Sequence, residues 1–180
     1  MTMRKINAAL SLLTTFLLLN HAIFLSIWML SRCSISKSNT FMPWVLVGTM
    51  AIHAFISIGM AITSHIGAEK RKVKTYVKLN APTIIQRVSG ILMILLIGLH
   101  IAGAANYYRP KMLHAALHPL FFIVAMAHTA ISTGKAMITL GIGNARIVKI
   151  VDIAVKVLCV LTVIASAIGF YLCLFVGVAK

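Results

Sequence analysis

His128-Thr129-Ala130-Ile131-Ser132-Thr133-Gly134 is the second copy of a pattern that first stands at His53-Ala54-Phe55-Ile56-Ser57-Ile58-Gly59. Both read H-x-x-I-S-x-G, and the copies lie 75 positions apart. A looser pair accompanies them. Gln86 precedes His100 by fourteen residues, Asn7 precedes His21 by the same interval, and Ser11 then stands where Gly90 stands. The chain reads as two copies of one helix pair, each helix carrying one histidine within an apolar run. Polar residues in lipid are costly and call for a functional or pairing explanation. Four at repeated positions call for a common one.

Composition sets the class. The 180 residues are 61% hydrophobic and 11% charged, with a mean hydropathy of +1.00. A soluble domain carries roughly 25% charge. Uncharged runs extend over 6–31, 38–68, 88–108, 112–134 and 157–179. Each exceeds the roughly 20 residues that span hydrocarbon as a helix. The expected architecture is all-α: a single integral membrane domain over 1–180 with transmembrane helices near 6–31, 43–66, 82–106, 115–140 and 147–178. Helices I–IV form a four-helix histidine-bearing bundle, and helix V accompanies it. The first run is too long for a signal peptide, lacks a small-residue cleavage site and contains His21, so it is kept as a helix.

The net charge of +15 raises the question of nucleic acid, but a membrane accounts for it. With the N-terminus in the cytoplasm, Arg4, Lys5, Lys70, Arg71, Lys72, Lys74, Lys78, Arg87, Lys135, Arg146, Lys149 and Lys156 fall inside. Arg32, Lys37, Arg109, Lys111 and Lys180 fall outside, as the positive-inside rule requires. No nucleic-acid partner is expected. The Lys70–Lys78 cluster suits anionic lipid or an acidic partner as well as topology. Cys33, Cys159 and Cys173 form no C-x-x-C-H motif, disulfide framework or zinc spacing and read as packing residues.

Along the chain, Gly67 is expected to cap helix II and Pro82 to open helix III. Pro119 either starts helix IV or kinks its outer end. Trp44, Tyr107 and Tyr108 read as interfacial aromatics, and His65 and His118 as interfacial side chains. Gly141, Gly143 and Asn144 make a turn. Helix V has no histidine and packs through small residues such as Ala165, Ala167 and Gly169.

Two imidazoles on facing helices, within apolar walls, are the ligand set of bis-histidine haem. Four histidines on four helices allow two haems. Ser57 and Ser132, four residues after their histidines, return to within about 40° of them on the helix, as do Asn7 and Gln86 at fourteen before theirs. Asn7 and Gln86 therefore face the same interior at the inner end and are placed to receive propionates, with Arg87 adding charge. His114 is placed to do the same for an outer haem. Ser89, Gly90 and Lys135 complete the pocket residues. Repeat symmetry pairs His21 with His100 and His53 with His128, although depth alone leaves the partner of His53 open. The competing readings are interhelix packing histidines in a haem-free scaffold or transporter, a proton path, and zinc. A proton path usually recruits carboxylates, and the chain has only Glu69 and Asp152.

Ile85-Gln86-Arg87-Val88-Ser89-Gly90 followed by His100 resembles the Q-R-V-[ST]-G…H segment of five-helix dihaem cytochrome b subunits. These anchor succinate dehydrogenases and fumarate reductases in prokaryotic cytoplasmic membranes. The resemblance runs the length of the chain in helix order and is specific at the histidines and at Gln86–Gly90. It implies that His53 and His128 hold a proximal, inner haem b and His21 and His100 a distal, outer one, both non-covalent. It implies an iron–sulfur subunit and an FAD-bearing flavoprotein at the cytoplasmic face. It further implies quinone chemistry, menaquinone being the expected species, near Tyr107, Tyr108, His114 and His118. This chain would be the membrane subunit of a multi-subunit oxidoreductase, with the dicarboxylate chemistry elsewhere. A cytochrome b anchor for another dehydrogenase or a hydrogenase fits the same residues. Some fumarate reductases place a glutamate two residues before the helix IV-type ligand. Met126 stands there in this chain, so quinol protons fall to His114, His118, a tyrosine or water.

Overall fold

The computed structural model describes residues 2–31, 41–70, 81–105 and 111–172, with side chains at all of these except 29, 41, 42, 64–70, 82, 103–105 and 111–118. Five helices follow one another: α1 (Met3–Leu30), α2 (Phe41–Lys70), α3 (Ala81–Ala105), α4 (Lys111–Leu140) and α5 (Ala145–Tyr171). Four carry stretches long and apolar enough to cross a membrane: Met3–Trp28, Pro43–Thr63, Thr83–Ala102 and Pro119–Leu140. The chain thus has the make-up of a multi-pass membrane protein.

The helix ends differ from expectation in informative ways. α2 runs through Gly67 to Lys70. A glycine inside a helix costs only about 1 kcal/mol relative to alanine, too little to end a long apolar helix unaided. α4 begins at Lys111, a little over two turns before Pro119, so Pro119 lies inside the helix rather than at its start. Its ring removes the amide that would meet the Ala115 carbonyl, a loss confined to one end of the helix. The turn before α5 is as expected. Gly141 and Gly143 have φ of 72° and 77°, open to glycine without a Cβ clash, and the Asn144 side chain accepts from the Ile147 amide at 2.9 Å.

The N-terminal parts of α1, α3 and α5 meet the C-terminal halves of α2 and α4, through Asn7 and Ser57, Gln86 and Ser132, and Asp152 and Gly134. Neighbouring helices therefore alternate in direction. The N-termini of α1, α3 and α5 and the C-termini of α2 and α4 share one end of the molecule, and Arg4, Lys5, Arg87, Lys135, Arg146 and Lys149 belong to that end.

The packing is not a closed ring of α1 to α4. Helices α1, α4 and α5 pack on one another, α2 packs along α1, and α3 packs along α4. Half of the α4 span is buried and 39% of the α1 span, against 11% in α2 and 17% in α3. The core lies where α1, α4 and α5 meet, around Leu18, Ala22, Phe122, Ala125, Met126 and Cys159. Small and hydroxyl residues let the backbones approach: Thr14, Thr15 and Ser26 on α1, and Thr129, Ser132 and Thr133 on α4. The buried stripe of α5 is Cys159, Thr162, Ser166 and Gly169. Of the three small residues expected to pack, Gly169 is buried, Ala165 is half-buried and Ala167 is exposed. The helical period starting from Cys159 selects 162, 166 and 169 and turns 167 outward.

Gly134 lets α4 come close to α5. A Cβ there would lie 2.7 Å from Asp152 Oδ1 and 3.5 Å from Asp152 Cβ. Gly134→Leu is expected to lower bundle stability by about 1–3 kcal/mol through overpacking. It should also speed alkylation of the buried Cys159 thiol, since the seam over it opens. Thermal unfolding in detergent and maleimide labelling measure the two effects; unchanged labelling would show that α5 does not depend on this contact.

Candidate functional site

Each half of the repeat ties its helices with one amide–hydroxyl contact. Ser57 Oγ donates to Asn7 Oδ1 at 3.1 Å, joining α2 to α1. Gln86 Nε2 donates to Ser132 Oγ at 3.2 Å, joining α3 to α4. In repeat register Asn7 corresponds to Gln86 and Ser57 to Ser132, so the same pair of positions is joined in both halves, with the serine donating in the first and accepting in the second. Ser132 passes its own proton to the His128 carbonyl, 2.7 Å away. The two serines thus serve as interhelix ties, and the amides are partly engaged by them.

The histidines stand one turn further into the bundle. The His53 ring lies against the main chain of Asn7, and the His128 ring against that of Gln86. Both are half-buried. The structure thus brings Asn7 and Ser57 together one turn from His53, and Gln86 and Ser132 together one turn from His128.

Around this shared geometry the halves differ. Lys135 Nζ donates to Gln86 Oε1 at 2.7 Å, while its repeat counterpart is Met60. Ser89 Oγ stands 2.9 Å from His128 Nδ1, while His53 Nδ1 is buried with no hydrogen-bond partner among the described residues. A Cβ at Gly90 would meet His128 Cε1 at 3.2 Å, so this glycine makes room for the imidazole. Gly134 makes room for α5, and nothing lies within 4 Å of a Cβ at Gly59. Arg87 is exposed and makes none of these contacts.

His21 and His100 form a second level. They lie about 21 Å along their helices from Asn7 and Gln86, and about 15 Å beyond the level of His53 and His128. Both are half-buried. Their helices, α1 and α3, are joined mainly through α4. The His100 ring stacks on Phe121 of α4 with centroids 5.2 Å apart and planes at 27°. Tyr107 and Tyr108 lie outside the described residues, as do the side chains of His65, His114 and His118. Met126, where a glutamate would stand in some relatives of the resembled family, is 3% exposed in the α1–α4–α5 core.

Two partners were not read from the sequence. Phe121 is one, although it precedes His128 by seven residues and so shares its helix face. Asp152 is the other; it lies against Gly134 and pairs with Lys156 one turn along α5. A lone acid in an apolar run, four residues before a lysine, was the available signal.

Because the two ties are equivalent by register, they should have similar strength. Double-mutant cycles with alanine at Asn7 and Ser57, and at Gln86 and Ser132, are expected to give couplings of about 0.5–2 kcal/mol each. Unfolding in micelles measures them, and a coupling near zero for either pair would separate the two halves.

Compared with family models, with curated proteins and with solved structures, the chain finds no match.

Proposed function

We propose that this chain is a dihaem cytochrome b membrane subunit that carries electrons between a quinone pool, menaquinone being the expected species, and an iron–sulfur partner. The reading takes α5 as a fifth crossing and the end bearing Arg4, Arg87 and Arg146 as cytoplasmic. His53 and His128 would hold the inner haem b, and His21 and His100 the outer one. Bound haem supplies one-electron chemistry. The observation that carries the reading is the doubled placement of His53 and His128. Each is set one turn beyond its own amide–serine tie.

The donor set fits the group. Two neutral imidazoles from different helices are the usual axial pair of a low-spin haem. Gly90 gives the His128 ring its place. Lys135 brings a positive charge to Gln86 at the end where propionates would lie. Low exposure at Met126 keeps water away from the α1–α4 seam. The basic end of the bundle suits the docking of an iron–sulfur subunit and its FAD-bearing flavoprotein. That assembly is of the succinate dehydrogenase or fumarate reductase kind, or belongs to another dehydrogenase or a hydrogenase.

A second reading is a haem-free helical scaffold or transporter. The His100–Phe121 stack favours it, since it gives one imidazole a protein partner.

The reading expects two haems b per chain after purification with attached subunits, seen in a reduced-minus-oxidised spectrum and counted by haem extraction. His100→Ala is expected to remove the outer haem, about half of the absorbance, and leave the inner one. A wild-type membrane extract without haem absorbance would favour the scaffold. Peptide identification of the co-purifying subunits distinguishes the kinds of dehydrogenase.

A further inference from the structure

His53 and His128 occupy equivalent places and have unequal surroundings. Ser89 Oγ donates to the Gln86 carbonyl at 3.2 Å. A carbonyl only accepts, and a serine hydroxyl has one proton. With that bond made, the same oxygen accepts from His128 Nδ1, 2.9 Å away, which puts the ring proton on Nδ1 and the lone pair on Nε2. On its Cε1 side the ring meets Gly90, where a Cβ would be 3.2 Å away. Ser89 and Gly90 together fix the place of the His128 ring.

A shift of 79 residues maps Gln86 onto Asn7, Gly90 onto Ser11 and Ser89 onto Leu10. Leucine can neither donate nor accept. The corresponding nitrogen, His53 Nδ1, is buried without a partner, and so is Thr14 Oγ1 one turn beyond Leu10 on α1. The first half of the repeat lacks the device that the second half has.

We propose that Ser89 is a positioning residue that makes His128 the fixed member of the inner ligand pair and leaves His53 as the exchangeable one. The inference rests on the haem reading above for its iron, but not for its tautomer. An outer-shell hydrogen bond to Nδ1–H orients an imidazole and raises its basicity as a ligand. The imidazole without one yields first. With haem bound, a small ligand such as carbon monoxide would displace His53 rather than His128.

Carbon monoxide binding to the dithionite-reduced complex tests the exchange. Leu10→Ser, which supplies the missing hydroxyl in register, is expected to slow binding at the inner haem roughly tenfold, and Ser89→Ala to speed it by a similar factor. Ser89→Thr should restore the wild-type rate. Only the inner haem's share of the absorbance should respond. Nitrogen-15 NMR of histidine-labelled protein tests the tautomer with or without haem: His128 is expected as Nδ1–H in the wild type and as a mixture in Ser89→Ala. Unchanged carbon monoxide rates in both Leu10→Ser and Ser89→Ala at full haem content would overturn the proposal. An Nε2–H tautomer for wild-type His128 in haem-free protein would overturn it too. If no haem is found, the functional reading fails, and the NMR result alone then decides the role of Ser89.

Discussion

Hydrocarbon offers no water to a polar side chain, so each such group must find its partner inside the bundle. The rest of this structure follows from how that demand is met. Most hydroxyls meet it locally, by donating back to a carbonyl one turn earlier: Ser26 to Ala22, Thr133 to Thr129 and Thr162 to Leu158. The amides of Asn7 and Gln86 are longer and reach the neighbouring helix instead. Those two contacts set the register of α1 against α2 and of α3 against α4. They also carry His53 and His128 to the same depth.

The duplication keeps a shift of 79 residues between α1 and α3 and of 75 between α2 and α4, and it is broken in surroundings. α5 has no counterpart in the repeat and, among the described residues, packs chiefly on α1 and α4. Its Asp152 fills the space beside Gly134, while the matching Gly59 faces open space. Covered on that side, α1 and α4 become the central helices, and α2 and α3 remain at the flanks with most of their surface outward. Polar chemistry is uneven in the same sense. Lys135 and Ser89 surround the second half of the inner site, where Met60 and Leu10 stand in the first. One histidine of the inner pair is therefore oriented by the protein and the other is left with an unpaired buried nitrogen.

Much of the fold was legible because its signals are local. Uncharged runs longer than a bilayer is thick announce helices whatever their neighbours do; α1 to α4 cover most of their runs, whereas α5 begins at Ala145, twelve residues before its run at 157–179. The glycine pair at Gly141 and Gly143 with Asn144 marked its turn, because backbone freedom and capping are properties of a few adjacent residues. An error came where a local signal was weaker than helix continuity, at Gly67, while at Pro119 the structure takes the alternative that keeps the proline inside the helix. The stripe of α5 was misassigned at Ala167 because small size alone does not say which way a residue points.

By itself the sequence determined the number of helices, their alternation, and the repeat that sets Asn7, Ser57 and His53 in the same relation as Gln86, Ser132 and His128. Spacing along a helix is rigid, so residues fourteen or four apart share a face wherever the helix goes. Only the tertiary structure decided that α5 joins α1 and α4 at the centre, that Phe121 lies under His100, and that Ser89 meets His128 while His53 goes without. These depend on how two apolar surfaces close on each other. In a chain that is apolar almost throughout, many helix faces are equally greasy, and packing of small residues chooses among them.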